Sequence, residues 1–358
     1  MVVPEWKTTI TGLSNMYSFM NDYSEGAHPA ILDLLIKSNL EQNEGYGEDV
    51  HTERAKKAIK KYLHADHADI HFIPGGTQTN LLAISSFLRP HECVIAADTG
   101  HINVHETGAI EATGHKVIAM PGKDGKLTPD LIQKALDFHT DEHMVKPKMV
   151  YISDTTELGT IYTKAELSAI HRICKTNDLI LFMDGARLAS ALTCEKNDLE
   201  LKDIAELVDV FYIGGTKNGA LLGEALVILK DELKEDFRYL IKQKGALMAK
   251  GFVIGIQFEA LFQNNLYFEL GAHANEMAGK IAAVLKKCGY SLLAPAGTNQ
   301  LFPILTNEEI SKLKQKFAFS VQKKVDESHS AIRLVTSWAT TLKSVEELCS
   351  FLEKLRAN

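Results

Sequence analysis

The stretch D-V-F-Y-I-G-G-T-K-N-G, residues 209–219, is an apolar run that breaks into two glycines and then presents Lys217. Upstream, L-I-L-F-M-D-G-A-R, residues 179–187, is a second apolar run, this one ending in Asp184 with Arg187 just beyond. Short continuous apolar runs suit strands buried on both faces of a mostly parallel sheet. Groups that follow such strands meet at one edge of the sheet, where open α/β folds hold their ligands. A lysine and a carboxylate brought to that edge are what pyridoxal 5'-phosphate requires. The amine can form an imine with the cofactor aldehyde, and the carboxylate can keep the pyridine nitrogen protonated.

Working outward, the same kind of run recurs at 68–74, 92–98, 116–121, 147–153 and 224–229, giving seven candidate strands. Between them, 79–88, 128–138 and 163–175 have helical spacing. Thr128 precedes Pro129, and Thr163 stands three positions before Glu166 as a capping box, so two helix starts are marked. Alternating strand and helix predicts a doubly wound α/β domain. After about Lys230 the pattern becomes mostly helical to Cys288. It then gives a strand at 298–305, a helix at 307–317, a strand at 330–338 and a closing amphipathic helix from Val345. This predicts a large domain with a mostly parallel seven-stranded sheet flanked by helices (41–250) and a smaller α/β domain (251–358). The first segment (1–40), with a helix at 29–36, packs with the small domain on this reading. No repeat or low-complexity linker separates the two domains, so they share an interface.

With 358 residues the chain can bury a substantial core, and 45% hydrophobic with 24% charged residues is an ordinary globular composition. A net charge of -7, with basic residues scattered among acids, argues against nucleic acid or anionic membrane as partner. The five cysteines, Cys93, Cys174, Cys194, Cys288 and Cys349, contain no C-x-x-C pair. Reduced thiols in a cytoplasmic enzyme fit this better than disulfides or a metal site. Glu5 and Lys7 have no apolar core behind them, so no signal peptide is read, and no apolar run approaches a membrane span.

F-I-P-G-G-T-Q-T-N-L-L, residues 72–82, places glycines between a strand and a helix. The backbone N–H groups of Gly76, Thr77 and Gln78 would face an anion at the helix start; a tight turn that needs glycine explains the segment equally well. Neither G-x-G-x-x-G nor G-x-x-x-x-G-K occurs, which weakens dinucleotide and nucleoside triphosphate readings. Asp184 either caps the next helix or raises the pKa of a pyridine nitrogen. Arg187 either bonds the ring's phenolic oxygen or pairs with a carboxylate. Thr216 could add a hydroxyl to a phosphate. His101, one of fourteen histidines, follows a strand at the edge shared with Gly76 and Asp184, where it could stack on the ring or exchange protons near neutral pH. Arg333, inside the apolar run A-I-R-L-V-T, wants a planar carboxylate from the protein or from an amino-acid substrate.

From about Ser18 onward the chain resembles the low-specificity threonine aldolase group of the β-eliminating lyase family, which are fold-type-I pyridoxal-phosphate enzymes. The likeness is carried by Y-G-E-D (46–49), P-G-G-T (74–77), H-I-x-V-x-E-T-G-A (101–109), D-G-A-R (184–187), T-K-N-G (216–219) and I-R-L-V-T (332–336). The resemblance implies that Lys217 bonds the cofactor, Asp184 partners its nitrogen and Arg187 meets its ring oxygen or the substrate. It implies that Gly76 and Thr77 cup the phosphate and that His101 stacks on the ring. Arg333 would clamp the substrate carboxylate, helped by Asn21 or Ser24, and Tyr46 would reach a pocket of its own or of a neighbouring subunit. A homodimer or homotetramer with sites at the interface is also implied.

Two departures stand out. Where many members carry a histidine in E-N-T-H, the matching stretch here is S-D-T-T-E-L-G (153–159), with Thr156 at that position. Where many read M-R-Q-A-G, this chain reads G-A-L-M-A-K-G (245–251), with Met248 for the arginine and Lys250 nearby. The expected activity is retro-aldol cleavage of L-threonine or L-allo-threonine to glycine and acetaldehyde, with His101 or a water as hydroxyl base. The alternatives are β-elimination on another amino acid, or a non-catalytic member of the fold.

Overall fold

The structure, a computed structural model, describes residues 16–357. After a two-residue strand β1 (Tyr17–Ser18) come β2 (Asp69–Ile73), β3 (Glu92–Ala97), β4 (Val117–Met120), β5 (Lys146–Ser153), β6 (Ile180–Asp184), β7 (Val210–Gly214) and β8 (Glu224–Ile228). All seven apolar runs are therefore strands, joined in one sheet in the order β2-β8-β7-β6-β5-β3-β4. Pairing is parallel from β4 through β7, and β8 lies antiparallel between β7 and β2. A parallel return to the same sheet needs a crossover of a dozen residues or more. The short 215–223 segment cannot supply one, so β8 folds straight back and Lys217 sits in the turn.

Every residue of β3, β6, β7 and β8 is buried. Successive side chains alternate between two cores: Leu181, Met183, Phe211 and Ile213 pack on one face, Ile180, Phe182, Val210 and Tyr212 on the other. Both faces are covered, which is why these strands carry no polar alternation. The predicted caps hold. Thr128 accepts from Leu131 N, and Thr163 and Glu166 close a reciprocal box at helix Lys164–Thr176.

The smaller sheet contains β9 (Gln300–Leu301), β10 (Ile304–Thr306), β12 (Ser320–Lys324) and β13 (His329–Val335), while β11 (Phe317–Ala318) pairs with β1 in parallel. The strand expected at 298–305 is split, because Pro303 has no N–H to continue a ladder. β12, S-V-Q-K-K, is exposed along most of its length and gave no apolar signal. Phe19 enters the small core with Ile281, Leu334 and Leu348, whereas Ala27 and Ile31 enter the large one. Helix Phe252–Phe262 adds Ile254 and Phe258 to the large core and crosses helix Val50–Leu63 closely. A Cβ at Gly255 would stand 2.3 Å from Thr52 Oγ1. No helix among the described residues is long and apolar enough to cross a membrane.

Candidate active site

β5, β6 and β7 end side by side, and Asp184 closes β6 with only 4% of its surface exposed. Tyr151 from β5 donates its hydroxyl to Oδ2, and Tyr212 from β7 donates to Oδ1. Asn80 Nδ2 adds a bond to Oδ2 at 3.2 Å, and Ala186 N donates to Oδ1 at 3.0 Å. The last is a local turn bond of the capping kind, so the residue's local and site roles coexist. Burial works to raise the Asp184 pKa. The charge of His101, the two tyrosine bonds and the charge of Lys217 outweigh it and hold the carboxyl below its usual range. Burial and the neighbouring carboxylate push both tyrosines well above theirs, so they remain donors.

Lys217 is partly buried in the turn after β7. Its two preceding glycines answer to backbone rather than to a ligand. A Cβ on Gly214 would lie 2.4 Å from the Ala186 carbonyl, and one on Gly215 would lie 2.7 Å from that of Gly223. Gly219 has φ +88 and faces Leu270, a conformation and a space that only glycine accommodates. Thr216 Oγ1 accepts from Gly223 N at 3.0 Å and so braces the turn. Burial lowers the amine pKa and the Arg187 charge adds to that, against Asp22, Asp184 and Glu224. Glu224, opposite Gly214 on β8, is itself buried, accepts from Gly215 N at 2.9 Å, and is raised by burial to about 7.

Arg187 is held bidentately by Asp22, with Nε–Oδ2 at 2.7 Å and Nη2–Oδ1 at 3.0 Å. Asn299 Nδ2 reaches Asp22 Oδ2 at 2.9 Å and ties the small sheet into the pair. Asn21 and Ser24, expected as helpers, bond each other in a local turn beside Asp22, with Ser24 Oγ donating to Asn21 Oδ1 at 3.0 Å. Asp22 stands in S-F-M-N-D-Y-S as a lone acid among polar neighbours, a pattern with no signal of its role. Arg333, on β13, is partly buried, and its buried Nε has no hydrogen-bond partner among the described residues. Burial, then the like charge of Arg187, lower its pKa.

His101 starts a short helical turn, and its Nδ1 meets Glu106 Oε1 at 2.7 Å. Glu106 is buried and also accepts from Asn80 Nδ2 at 2.7 Å, so one asparagine joins it to Asp184. Thr156 turns away: its Oγ1 pairs with Thr160 Oγ1 at 2.7 Å and its backbone N bonds the Thr160 carbonyl. The adjacent Glu157 is what this stretch gives the site, its Oε1 accepting from His101 N at 2.9 Å and from Ser153 Oγ at 2.8 Å. Helix Gly76–Phe87 begins at the same edge, and a Cβ on Gly76 would lie 3.3 Å from Tyr212 Oη. The N–H groups of Gly76, Thr77 and Gln78 bond no acceptor among the described residues, while the Gln78 side chain is taken by the Lys244 carbonyl at 3.2 Å. Tyr46 lies elsewhere, its ring under Lys242 Nζ at 4.6 Å and its carbonyl bonded to Arg238.

The family model described as beta-eliminating lyase matches residues 22–308. The chain belongs to the β-eliminating lyase family. It is 32% identical over 342 residues to the low specificity L-threonine aldolase of Pseudomonas sp. (strain NCIMB 10558), covering 93% of this chain and 96% of that one. It is similar to the solved structure of Leishmania major threonine aldolase, with TM-score 0.94, 54% identity, and 95% and 99% of the two chains covered. The aromatic aminotransferase of Pyrococcus horikoshii shares the fold at TM-score 0.70 and 16% identity, covering 96% of both chains. The fold is that of the fold-type-I pyridoxal-phosphate enzymes, and the cofactor of this family member is pyridoxal 5'-phosphate.

The residues fit that cofactor. The described edge combines an amine depressed below the usual lysine range, a carboxylate kept charged, and a helix start with unclaimed amides. Lys217 would bond it, Asp184 would face its ring nitrogen, and the Gly76–Gln78 amides would meet its phosphate.

Glu224 generates a test. A carboxyl raised in the fold stabilises fully only below its unfolded pKa, and that advantage is lost as pH climbs from about 4.5 to about 7. Glu224→Gln should therefore stabilise the cofactor-free protein by up to about 3 kcal/mol at pH 8 but by under about 1 kcal/mol at pH 5. Urea unfolding at the two pH values measures this; equal effects at both would contradict the buried-acid account.

Proposed function

We propose that the protein is a pyridoxal-phosphate-dependent aldehyde-lyase that cleaves small β-hydroxy-α-amino acids between Cα and Cβ. L-threonine and L-allo-threonine would give glycine and acetaldehyde. Arg333 carries the reading: a guanidinium with an unpartnered buried Nε, beside a second guanidinium already satisfied by Asp22. Such a group is left short of one anion, and the carboxylate of an amino acid is the matching shape. The threonine aldolases of Pseudomonas and Leishmania major support the choice of substrate.

When bound, the cofactor supplies an electron sink for the pair left on the substrate Cα. Arg333 fixes the carboxylate, and Arg187, immobilised by Asp22, keeps its place beside it. Asp184 keeps its charge at the position of the ring nitrogen, braced by two tyrosines that cannot ionise near neutral pH. Lys217 offers Nζ as nucleophile and as a base near Cα, aided by its lowered pKa. His101, aligned through Nδ1 on Glu106, would cover the ring.

The same reading makes the enzyme a cytoplasmic homo-oligomer. The described cysteines are all free, which suits a reducing compartment. Leu32, Ile36 and Leu40 are exposed and recur every fourth residue along and just past helix Pro29–Ser38, and Leu221 is exposed in the lysine turn. An apolar stripe of that kind suits a second copy of the chain, which would also bring Tyr46 to a neighbour's site.

Incubation of the yellow protein with L-threonine and L-allo-threonine should release acetaldehyde, and Lys217→Ala should release none. A silent wild-type protein would refute the proposal. Arg333→Lys should weaken amino-acid affinity by roughly tenfold or more with the cofactor still bound, because an ammonium cannot grip a carboxylate in two places. An unchanged KM would remove Arg333 from the site. Light scattering should give at least twice the 39.6 kDa chain mass, falling toward it in Ile36→Glu/Leu40→Glu; a fully active monomer would end the interface argument.

A further inference from the structure

Resting on that reading, we propose that Glu157 is the base that takes the β-hydroxyl proton of the substrate as the Cα–Cβ bond breaks. Five carboxylates meet around Lys217 and His101, and four are committed. Both oxygens of Asp22 are held by Arg187. Both oxygens of Asp184 are held, by Tyr151 and Asn80 on one and Tyr212 and Ala186 on the other. Glu106 has a side chain with 0% exposure, behind His101. Glu224 is buried under the lysine turn and bonded to Gly215 N. Glu157 differs. Its Oε1 accepts from His101 N and Ser153 Oγ, no other residue among those described holds Oε2, and the side chain is only partly buried.

Glu157 also lies where the reaction is. It follows β5 at the edge that carries Asp184, and its charge acts on Arg187. The groups facing it are His101 from the short helical turn, Tyr151 and Ser153 from β5, Asp184 from β6, Arg187 beyond β6, and Tyr162. Burial and then Asp184 raise its carboxyl pKa, against Ser153, its own backbone N–H and His101, which makes it a stronger base than a surface glutamate. His101 is less free for the task, since its Nδ1 is fixed on Glu106 and its backbone N–H on Glu157 itself.

The step balances. The hydroxyl proton passes to Glu157 Oε2, and the O–H pair becomes the second C–O bond of the aldehyde. The bound cofactor would supply the sink for the Cα–Cβ pair, Lys217 would deliver the proton that completes glycine at Cα, and Glu157 and Lys217 would exchange protons with water to reset.

The test uses the cofactor-loaded enzyme and Glu157→Gln. Exchange of the glycine α-hydrogen in D2O, followed by NMR, needs Lys217, Arg333 and the cofactor but no hydroxyl base. Acetaldehyde release needs all of them. The variant should lose acetaldehyde release by about 100-fold or more while glycine exchange stays within roughly threefold. Glu157→Asp should recover part of the cleavage. Absorbance titrations supply a readout apart from turnover. In the wild type the preference for L-threonine over L-2-aminobutyrate should rise with pH as Glu157 ionises, and in Glu157→Gln it should be flat. Cleavage within tenfold of wild type, or cleavage and exchange lost equally, would overturn the assignment. A wild type that exchanges glycine but releases no aldehyde would instead overturn the cleavage reading, and this assignment with it.

Discussion

A charged carboxylate, Asp184, is kept in a nearly solvent-free place by two neutral hydroxyls from the strands on either side. This one arrangement couples the sheet to the site. Tyr151 and Tyr212 can flank Asp184 only because β5, β6 and β7 are neighbours, with Asp184 paired across from Ser153 and Tyr151 two positions back. A buried ionised group without such donors would protonate instead. Here the order of strands and the charge state of one side chain are the same fact seen at two scales.

The second constraint is the balance of charge around that carboxylate. Two arginines with nearby side chains are each expensive to bury, and among the described residues only one has a protein partner. Asp22 supplies that partner from the N-terminal segment, and Asn299, bonded both to Asp22 and to the Thr336 carbonyl, draws in the small sheet. Three separate parts of the chain are thus joined through one ion pair. Among the described residues Arg333 remains short of an anion, and Lys217 has its amine pKa lowered by burial, so these two members are those that chemistry on an amino acid would use. Folded proteins usually satisfy buried polar atoms, and a lapse of this kind at a cleft marks a place for a ligand.

The sheet was legible because each of its strands is buried on both faces, which leaves an unbroken apolar run in the sequence. The small domain was less so: β12 is exposed and polar, and Pro303 divides what looked like one strand. At the site, Asp184, Arg187, Lys217 and His101 could be found because each follows an apolar run at the same edge. Asp22, Glu106 and Glu224 could not. Asp22 acts through Arg187, far away in sequence, Glu106 is joined to Asp184 only through the distant Asn80, and Glu224 opens a strand that reads as plain core. The two glycines before Lys217 were visible, but their cause was not. They make room for the Ala186 and Gly223 backbones, which only the folded turn brings near.

Residues 153–159 show the same limit in its sharpest form. Their composition does not say which side chain faces inward, because a tight turn shifts the facing residue by one. Gly159, at φ +71 and packed against Thr298 and Gln300, lets Thr156 bond across to Thr160. Closing that turn sends Thr156 under the Gly125 backbone and leaves Glu157 on the His101 side. The acid at this position therefore follows from where the turn closes. A shift of one residue would put an uncharged hydroxyl beside His101 and remove from the site the one of its five carboxylates that is not fully buried.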